Sequence, residues 1–480
     1  MTQSRISMPV VSELDLIFQD HLKLDNFWDQ QQLVSEPNEP KKIISFVQRI
    51  PTIDPLAFLQ NFNHSNSLHF YWENPRKQEA VIACGVTQKL LIDSRDRFKI
   101  AQNFIQKCLK KTVRKGETSI TGAGPHLFCT FTFFPDADKS YSPFPAATVF
   151  LPRLQLIKKN KSCLLIVNVP VNYADNSKLI VEEIKQKINS IDWSLQQKLN
   201  SEINECFASN YNSISEDSEY FKSVVTSALN SIAIDEFSKI VLAYATDVVS
   251  PVPFRLIKSL DNLRQRHPDC YIFSTSNGRD NNFIGASPER LVSIQNKQLV
   301  TDALAGSAPR GKTTAEDVQL ANLLLKNRKE KREHQAVSDF LIERLRQLDL
   351  KPQQLPLQLL QLSNIQHLWT PIYAHLSHDL DPLEIVAQLH PTPAVAGVST
   401  EIACEQIRRY EKFDRSLYAA PLGWVDYQGN SEFIVGIRSA LIEGNRARLY
   451  AGAGIVSGSN PEKEFAEIQL KLQSLLKALV

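Results

Sequence analysis

The residues with the clearest potential for chemistry lie near the end of this 480-residue chain. Gly452 and Gly454 end an apolar run, and a predicted helix follows with Glu464, Glu467 and Lys471. Glycines lack a side chain and let a ligand approach backbone amides. Residues three or four apart share a helix face, so the two carboxylates and the amine point the same way. Such groups suit an anionic ligand held through a hard cation. The alternative is a glycine-rich turn beside a solvated Glu–Lys pair.

The start of this helix is also predicted from its local sequence. Ser459 and Glu462 have the spacing of a capping box, in which each side chain accepts a hydrogen bond from a free backbone N–H group. Pro461 suits the first helical turn. The pattern therefore predicts that Ser459 caps the helix.

A candidate base lies at the start of another strand, in the run Lys239-Ile-Val-Leu-Ala. Side chains alternate along a strand, so Lys239 shares a face with Val241 and Ala243. Burial among such apolar neighbours favours a neutral amine, which can then accept a proton. The alternative is an edge strand whose lysine reaches into solvent.

A candidate acid is Glu289, which directly follows Pro288. Proline interrupts the hydrogen-bond ladder of a strand, and this break can aim the next side chain into a cleft. A carboxyl group beside Ala286 and Leu291 could have a raised pKa and act as a general acid. A surface pair of Glu289 with Arg290 is the alternative.

Three further residues have side chains suited to binding. Arg438 is predicted in the middle of a strand, between Gly436 and Ala440 on the same face. These small neighbours leave a hollow in which a guanidinium group can bind a carboxylate with two hydrogen bonds. Glu333 lies in a charge-dense run that is typical of a solvated helix face. His367, taken alone, is more often structural than catalytic.

Composition excludes several classes of function. The net charge is +2, which gives no bulk electrostatic reason to bind nucleic acid or an acidic membrane surface. Seven scattered cysteines without a CxxC pair favour reduced thiols over disulfides or a zinc site. No apolar run is long enough to cross a bilayer, and the N-terminal stretch lacks a secretory signal. We therefore expect a cytoplasmic protein that binds neither nucleic acid nor a membrane.

Strands and helices are predicted in blocks, without strict alternation. This order favours an α+β fold with antiparallel sheets over a doubly wound fold. The Ser- and Asn-rich stretch 207–218 is the best candidate boundary. Beyond it, one strand is predicted over 239–249 and one long helix over 314–348. Further strands are predicted over 270–276, 283–294, 298–305, 422–427, 432–442 and 447–456.

Taken together, these runs resemble the chorismate-utilising enzymes, the family of isochorismate, salicylate, anthranilate and aminodeoxychorismate synthases. The resemblance is dense over 215–480, and weaker matches occur at Phe70-Tyr-Trp-Glu and Leu151-Pro-Arg. The matching runs are Lys239-Ile-Val-Leu-Ala, Gly285-Ala-Ser-Pro-Glu, Leu304-Ala-Gly-Ser, Arg332-Glu-His, Gln366-His-Leu, His390-Pro-Thr-Pro-Ala, Gly423-Trp, Ile437-Arg, Ala451-Gly-Ala-Gly and Glu464-Phe-Ala-Glu.

The resemblance implies a large α+β chorismate-binding fold, with antiparallel sheets packed as a sandwich and helices on the outside. It divides the chain into a variable N-terminal segment, 1–66, the N-terminal half of the synthase fold, 67–214, and a chorismate-binding catalytic region, 215–480.

One branch of the family fits best. Ammonia-using branches usually have glutamine where Lys239 stands, and a Gly-Ala-Pro-Lys segment that this chain lacks. The chain therefore resembles isochorismate synthases, which isomerise chorismate by adding water at C2 and losing the C4 hydroxyl, and no glutaminase subunit is expected. Tyr244 is a departure, because relatives commonly place arginine there.

The resemblance also implies a role for each candidate residue. Lys239 would activate the attacking water, and Glu289 would protonate the departing hydroxyl. Glu333 and Glu467 would bind Mg²⁺, with Glu464 beside them. The residues implied to contact the substrate are Gly306, Ser307, His367, Ala394, Tyr418, Arg438, Gly452, Gly454 and Lys471.

Two other functions remain open at this point. A salicylate synthase shares the lysine and would go on to eliminate pyruvate, although such enzymes typically lack the His-Pro-Thr-Pro-Ala form. A non-catalytic chorismate-binding protein would need neither acid nor base. We expect a monomer, because no interface-like apolar stripe stands out, and a product that supplies menaquinone or phylloquinone synthesis.

Overall fold

The computed structural model describes residues 42–62, 67–120, 122–136, 142–171, 177–191, 212–215, 218–363, 365–377 and 379–479. Most of the predicted N-terminal segment 1–66, and most of the predicted boundary 207–218, lies outside these residues. The division into three regions stays a prediction.

Two large β-sheets form the centre of the molecule. Their strands are, in chain order, β1 Lys42–Ile50, β2 His69–Asn74, β3 Glu79–Cys84, β4 Gln88–Ile92, β5 Thr112–Gly116, β6 His126–Phe131, β7 Ala147–Leu151, β8 Leu154–Lys159, β9 Ser162–Val171, β10 Asn212–Ser215, β11 Lys239–Val249, β12 Tyr271–Ser276, β13 Asn281–Ser287, β14 Arg290–Gln295, β15 Gln298–Pro309, β16 Gln353–Gln354, β17 Gln358–Gln361, β18 Ile365–His375, β19 Gly397–Val398, β20 Pro421–Asp426, β21 Ser431–Val435, β22 Ser439–Glu443 and β23 Arg446–Val456.

Helices pack against these sheets. Within the described residues they are α1 Pro55–Phe62, α2 Arg97–Lys110, α3 Ser177–Asn189, α4 Ser218–Ala233, α5 Leu256–Arg266, α6 Thr314–Lys326, α7 Arg328–Gln347, α8 Pro382–Leu389, α9 Thr400–Tyr410 and α10 Pro461–Leu479. Among the described helices, none has the length and apolar character needed to cross a membrane.

The first sheet has 13 strands in the order β10-β11-β23-β22-β13-β12-β2-β3-β8-β9-β1-β5, with β19 beside β11. The second sheet has 10 strands in the order β16-β18-β15-β14-β21-β20-β6-β7-β4, with β17 beside β18. Both sheets are rich in antiparallel pairs and join the two halves of the chain, because β12 pairs with β2 and β20 pairs with β6. The predicted α+β fold with antiparallel sheets is confirmed.

Large aromatic side chains fill the space between the two sheets. Phe70 of β2 and Phe128 of β6 belong to different sheets, and their ring centroids lie 5.1 Å apart. Both rings are buried, as is Phe150 beside Phe128 on the neighbouring strand β7. Tilted aromatic contacts of this kind add to the free energy gained from burying apolar surface. The sheet faces therefore pack directly on each other.

The chain crosses between the sheets in the middle of two stretches that were predicted as continuous strands. The stretch 283–294 divides into β13 of the first sheet and β14 of the second, with Pro288 and Glu289 between them. The stretch 432–442 divides into β21 of the second sheet and β22 of the first. The two single-strand predictions are therefore wrong.

Backbone geometry explains both crossings. Pro288 has no N–H group to donate, so the ladder stops there. Arg438 has a φ of +49°, which is incompatible with a regular strand. The two crossings are bonded to each other: Val435 N donates to Glu289 O at 3.1 Å, and Ala286 N donates to Arg438 O at 3.1 Å. Arg438 and Glu289 therefore lie at adjoining crossings, and the predicted mid-strand position of Arg438 is wrong.

The predicted helix 314–348 is likewise two helices, α6 and α7. Asn327 ends α6 and caps α7, where its side chain accepts hydrogen bonds from Lys329 N and Glu330 N. Asparagine favours this arrangement because its side chain competes with the backbone for N–H groups. The prediction of one continuous helix is therefore wrong, because the helix is interrupted once, at Asn327.

The cap of α10 also differs from the prediction. Asn460 Oδ1 accepts from Glu462 N and from Lys463 N, both at 3.1 Å. Ser459 Oγ instead accepts from Val456 N at 3.2 Å, which holds the preceding turn. Asn460 therefore caps the helix, and the prediction of Ser459 is wrong by one residue.

Candidate active site

A cavity of about 210 Å³ lies where the two crossings meet β15, β23, α7 and α10. Of the residues predicted to act in a site, all except Lys239 line it. They are Glu289, Gly306, Ser307, Glu333, His367, Ala394, Tyr418, Arg438, Gly452, Gly454, Glu464, Glu467 and Lys471. Residues from distant parts of the chain are thus brought together, while their individual roles remain predictions.

Lys239 lies directly behind the wall of this cavity. Its Nζ is 2.8 Å from Glu333 Oε1, and only 3% of its side chain is exposed. A Cβ atom on Gly454 would lie 3.4 Å from Lys239 Cε, so Gly454 and Glu333 separate the amine from the open space. The edge-strand alternative is wrong, since β23 pairs along all of β11 on one side and β19 pairs with Lys239 on the other.

Glu289 is buried where the first crossing meets the cavity. Burial raises the pKa of its carboxyl group to about 8, while the charge of Lys239 opposes this rise and that of Asp302 adds to it. The group is therefore protonated at neutral pH. The predicted alternative, a surface pair with Arg290, is wrong, because Glu289 is only 5% exposed and Arg290 pairs with Asp302 at 2.9 Å.

Four carboxylates line the cavity from two helices. Glu330 and Glu333 of α7 are three residues apart, as are Glu464 and Glu467 of α10. Burial raises the pKa values of Glu330 and Glu464, and the charges of the neighbouring glutamates raise them further. This crowding of like charges would be relieved by a bound cation.

Glu330 is one of the residues that the sequence reasoning missed. Its Oε2 accepts a hydrogen bond from Ser307 N at 3.1 Å, which ties α7 to β15. The same three-residue spacing that pointed to Glu464 and Glu467 relates Glu330 to Glu333. That repeated spacing was a signal that could have found it.

Lysines balance the carboxylates in this arrangement. Lys471 Nζ lies 2.8 Å from Glu467 Oε1, and Lys329 Nζ lies 3.8 Å from Glu464 Oε1. Within the part of the chain that the structure describes, no three His, Cys, Asp or Glu side chains converge closely enough to form a complete metal cage. Any cation here would need further ligands from water or from another bound molecule.

Another part of the cavity wall carries groups that can bind an anion. Arg438 Nη2 lies 3.2 Å from His367 Nε2. Burial, assisted by the charges of Arg438 and Lys471, lowers the pKa of His367 to about 3. The neutral imidazole can then accept a hydrogen bond from Arg438 and fix the direction of its guanidinium group. His367 is thus placed to orient the arginine.

Glycines bring backbone groups to the cavity surface. Gly306 has a φ of +76° and lies at a β-bulge between β15 and β18. A Cβ atom on Gly452 would lie only 2.8 Å from Tyr418 Oη. Tyr418 stacks on Tyr450 with ring centroids 5.1 Å apart, so it cannot easily withdraw. Both glycine positions therefore require the absence of a side chain.

A buried ion pair between Arg415 and Glu411 holds the strand that carries Lys239. This pair was not predicted from the sequence. Arg415 Nη2 donates to Val241 O at 2.8 Å, and Glu411 Oε1 accepts from Ala243 N at 2.7 Å. Arg415 Nη1 also donates to Val395 O at 2.8 Å, on the cavity wall. The pair completes the hydrogen bonding of β11 between its neighbours β19 and β10, so it fixes the backbone beside the site.

Known proteins are similar to this chain in sequence and in fold. The profile of the family described as chorismate binding enzyme matches residues 29–480. Isochorismate synthase MenF of Bacillus subtilis (strain 168) is 29% identical over 452 residues, which cover 91% of this chain and 93% of that protein. The salicylate biosynthesis isochorismate synthase of Pseudomonas aeruginosa is 40% identical over 259 residues, or 53% of each protein.

A solved structure extends the similarity to the whole fold. The structure of MenF, the menaquinone-specific isochorismate synthase from Escherichia coli, matches with a TM-score of 0.76 and 26% identity. The match covers 97% of this chain and 100% of that one. Since the family profile also spans most of the sequence, the chain belongs to the chorismate binding enzyme family.

Proposed function

We propose that this protein is an isochorismate synthase, an isomerase that adds water to chorismate at C2 and releases the C4 hydroxyl. One observation carries the proposal: a buried carboxyl group held protonated, Glu289, lines the cavity, and a buried amine, Lys239, lies directly behind the cavity wall. Two similar proteins that span nearly the whole chain are named isochorismate synthases, which supports it. Incubation with chorismate and Mg²⁺, followed by separation of the products, tests it.

The reaction needs one group to accept a proton and one to donate it. Lys239 takes a proton from water as the oxygen bonds to C2, and the ring double bonds shift. Glu289 gives its proton to the departing C4 oxygen, which leaves as water. One water molecule is consumed and one is released, so the product is an isomer. The two proton transfers occur at two ring carbons that are separated by C3, so they call for two separate groups.

Lys239 cannot act in the arrangement described here without a local change. Its Nζ is bonded to Glu333 behind the cavity wall, so this ion pair must open before the amine reaches a water molecule. Glu333 is also one of the carboxylates suited to a cation. Displacement of the Glu333 carboxylate from Lys239 would release the amine, which makes this ion pair a link between ligand binding in the cavity and the base.

The part of the cavity wall that carries Arg438 and Tyr418 is suited to hold the substrate. Arg438, oriented by His367, can bind the enolpyruvyl carboxylate with two parallel hydrogen bonds, and Tyr418 adds a hydroxyl donor. Backbone amides near Gly306, Gly452 and Gly454 supply further donors. Fixing a carboxylate at this wall sets which ring carbons face Glu289 and Lys239.

The carboxylates fit Mg²⁺, which we propose as the cofactor. Magnesium usually binds one or two protein carboxylates, and water and substrate oxygens supply its other ligands. Glu333 and Glu467 both line the cavity, and two carboxylates are compatible with that preference. Glu333 and Glu467 would hold it, with Glu464 beside them, and it would supply positive charge to the ring carboxylate of chorismate. Burial raises the pKa values of Glu330 and Glu464, and the charges of the neighbouring glutamates add to the rise, so a cation here would be stabilised by several nearby carboxylates.

Replacing Glu467 with glutamine is expected to raise the Mg²⁺ concentration needed for half-maximal turnover, because one anionic ligand is lost. A magnesium titration of initial rates measures this effect. Glu462→Gln is the matched control, since Glu462 lies on the same helix, is exposed and does not line the cavity. The assignment is wrong if the two variants give the same titration as the unmodified protein.

Replacing Gly452 with alanine is expected to weaken substrate binding. The new Cβ would lie 2.8 Å from Tyr418 Oη and push the tyrosine from the position held by Tyr450. Because the contact lies on the wall assigned to the carboxylate, KM for chorismate should rise more than kcat falls. Steady-state kinetics measure both constants, and a fall in kcat alone would contradict this role of the wall.

The rival function within the family is salicylate synthesis, in which isochorismate goes on to lose pyruvate. Release of pyruvate from chorismate, with no lyase added, would favour that rival. Chorismate binding without any conversion, measured by calorimetry, would instead favour a non-catalytic binding protein. We propose that the isochorismate supplies menaquinone synthesis, because one solved structure that spans nearly the whole chain is that of a menaquinone-specific isochorismate synthase.

A further inference from the structure

An aromatic cluster packs against the helix that carries two of the cavity carboxylates. It consists of Phe221 of α4, Tyr244 of β11 and Phe465 of α10. The ring of Tyr244 meets Phe221 and Phe465 edge-on, with centroids 5.6 and 5.5 Å apart. Phe221 and Phe465 also contact each other at 6.0 Å. Tyr244 therefore lies between the two helices and joins them to the sheet.

The cluster lies on the side of β11 that faces away from the cavity. Val241 lines the cavity, and side chains alternate along a strand, so Tyr244 points to the other face. Tyr244 is only 1% exposed. Tyr244 does not line the cavity, so it acts on the cavity through the elements that it contacts: strand β23, where Ala451 pairs with it, and the helix on which its ring packs.

Helix geometry links this contact to the carboxylates. Successive residues are about 100° apart around a helix, so Glu464 lies about 100° and Glu467 about 160° from Phe465. Both glutamates therefore project on the side away from the aromatic ring. A rotation of the first turns of α10 about its axis would move Glu464 and Glu467 together, and the ring contacts of Phe465, together with the buried Ile468, oppose that rotation.

An exposed ion pair at this end of α10 holds the helix less firmly than the aromatic contacts do. Lys222 of α4 pairs with Glu462 at 2.9 Å, but the Glu462 side chain is 72% exposed. Exposed ion pairs contribute little, because water and salt screen them. The rings of Phe221 and Tyr244 are buried and that of Phe465 is partly buried, and their edge-on contacts are directional, so they hold the helix more firmly.

From these contacts we propose that Tyr244 is a positioning residue for the magnesium site: its ring sets the rotation of α10 and so the aim of Glu464 and Glu467. The inference rests on the proposed function, because it concerns the cation that the carboxylates would hold. It also gives a physical account of Tyr244, which stands where arginine is common in the family.

The test measures magnesium binding through protein stability. Mg²⁺ is titrated in the presence of chorismate, and the midpoint of the rise in unfolding temperature is recorded. Tyr244→Leu is expected to raise that midpoint about 10-fold, as is typical when a group that orients metal ligands is lost. Tyr244→Phe keeps the ring, so its magnesium midpoint should equal that of the unmodified protein. Phe465→Leu removes the other half of the contact and should act like Tyr244→Leu, which keeps the test open if one variant does not fold.

Phe58→Leu is the matched control for a general loss of stability. Phe58 is buried on α1, contacts Phe62 at 5.1 Å and does not line the cavity. It should lower the unfolding temperature without moving the magnesium midpoint. An unchanged midpoint in Tyr244→Leu, or an equal shift in Phe58→Leu, would overturn the inference while leaving the proposed function intact if the unmodified protein still converts chorismate. An unmodified protein that neither converts chorismate nor responds to Mg²⁺ would overturn both.

Discussion

Replacing Glu289 with glutamine is expected to lower kcat by at least about 100-fold, because general acid catalysis contributes roughly that much or more. Glutamine has nearly the same shape and keeps a hydrogen-bond donor, but it cannot transfer a proton. The change removes the acid while leaving the wall of Arg438 and Tyr418 untouched. Binding of chorismate, measured by calorimetry, should therefore be retained.

The pH dependence of turnover tests the same assignment. Glu289 must be protonated to act as an acid, and its pKa is raised to about 8. Turnover should therefore fall as the pH rises through about 8. The residual activity of Glu289→Gln should lack this fall. Near-normal turnover in the variant, or the same alkaline fall in both proteins, would contradict the role of Glu289.

Replacing Asp302 with asparagine is a second test of the raised pKa of Glu289. The charge of Asp302 is one cause of the raised pKa of Glu289. Its removal should lower that pKa and move the alkaline fall in turnover to lower pH. A shift to higher pH would mean that Asp302 acts on the site in some other way.

Stability gives an independent check on the proton of Glu289. Below its ordinary value of 4.5, the carboxyl group is protonated in both the folded and unfolded chains. Between 4.5 and about 8 the unfolded chain releases the proton while the folded chain keeps it. The free energy of unfolding contributed by this group therefore falls as the pH rises through that window. Glu289→Gln should lack this contribution when denaturation is measured at both ends of the window.

Replacing Lys239 is expected to lower kcat by at least about 100-fold as well, since it removes the general base. Two variants separate this role from simple charge balance. Lys239→Ala removes both the base and the partner of Glu333. Lys239→Arg keeps a positive charge for Glu333, but a guanidinium group stays protonated and cannot accept a proton from water. Both variants should lose turnover.

The Lys239→Arg variant distinguishes a lysine that acts as a general base from one that only balances the charge of Glu333. If Lys239→Arg retains near-normal turnover, the lysine serves only as a counter-charge to Glu333. Lys222→Ala is the control, because Lys222 forms an ion pair outside the cavity and should leave kcat unchanged. Stopped-time assays with chorismate and Mg²⁺ measure all three variants under the same conditions.

Local sequence predicted elements well where a single physical signal dominates. The β-branched run from Lys239 to Val249 predicted β11 with the bounds that the structure has. The strand breaks at Glu289 and Arg438 were harder to predict, because they arise where a chain segment passes from one sheet to the other. Pro288 did signal a break in the ladder, but nothing local to Arg438 revealed its left-handed backbone conformation.

The site was predictable where spacing along a helix or a run of small residues carries the information. Glu464, Glu467 and Lys471 share one face of α10, and all three line the cavity as the spacing indicated. Arg415 could not be found in this way. Its hydrogen bond to Val241 joins positions 174 residues apart, and only the folded chain brings them together.

The central claim, that water adds to C2 of chorismate, is tested most directly by the fate of the water oxygen. Purified protein is incubated with chorismate and Mg²⁺ in water enriched in ¹⁸O, and the products are analysed by mass spectrometry and NMR. The account predicts isochorismate with ¹⁸O in its C2 hydroxyl group and no release of pyruvate. Isochorismate without the label, pyruvate among the products, or unchanged chorismate would contradict it.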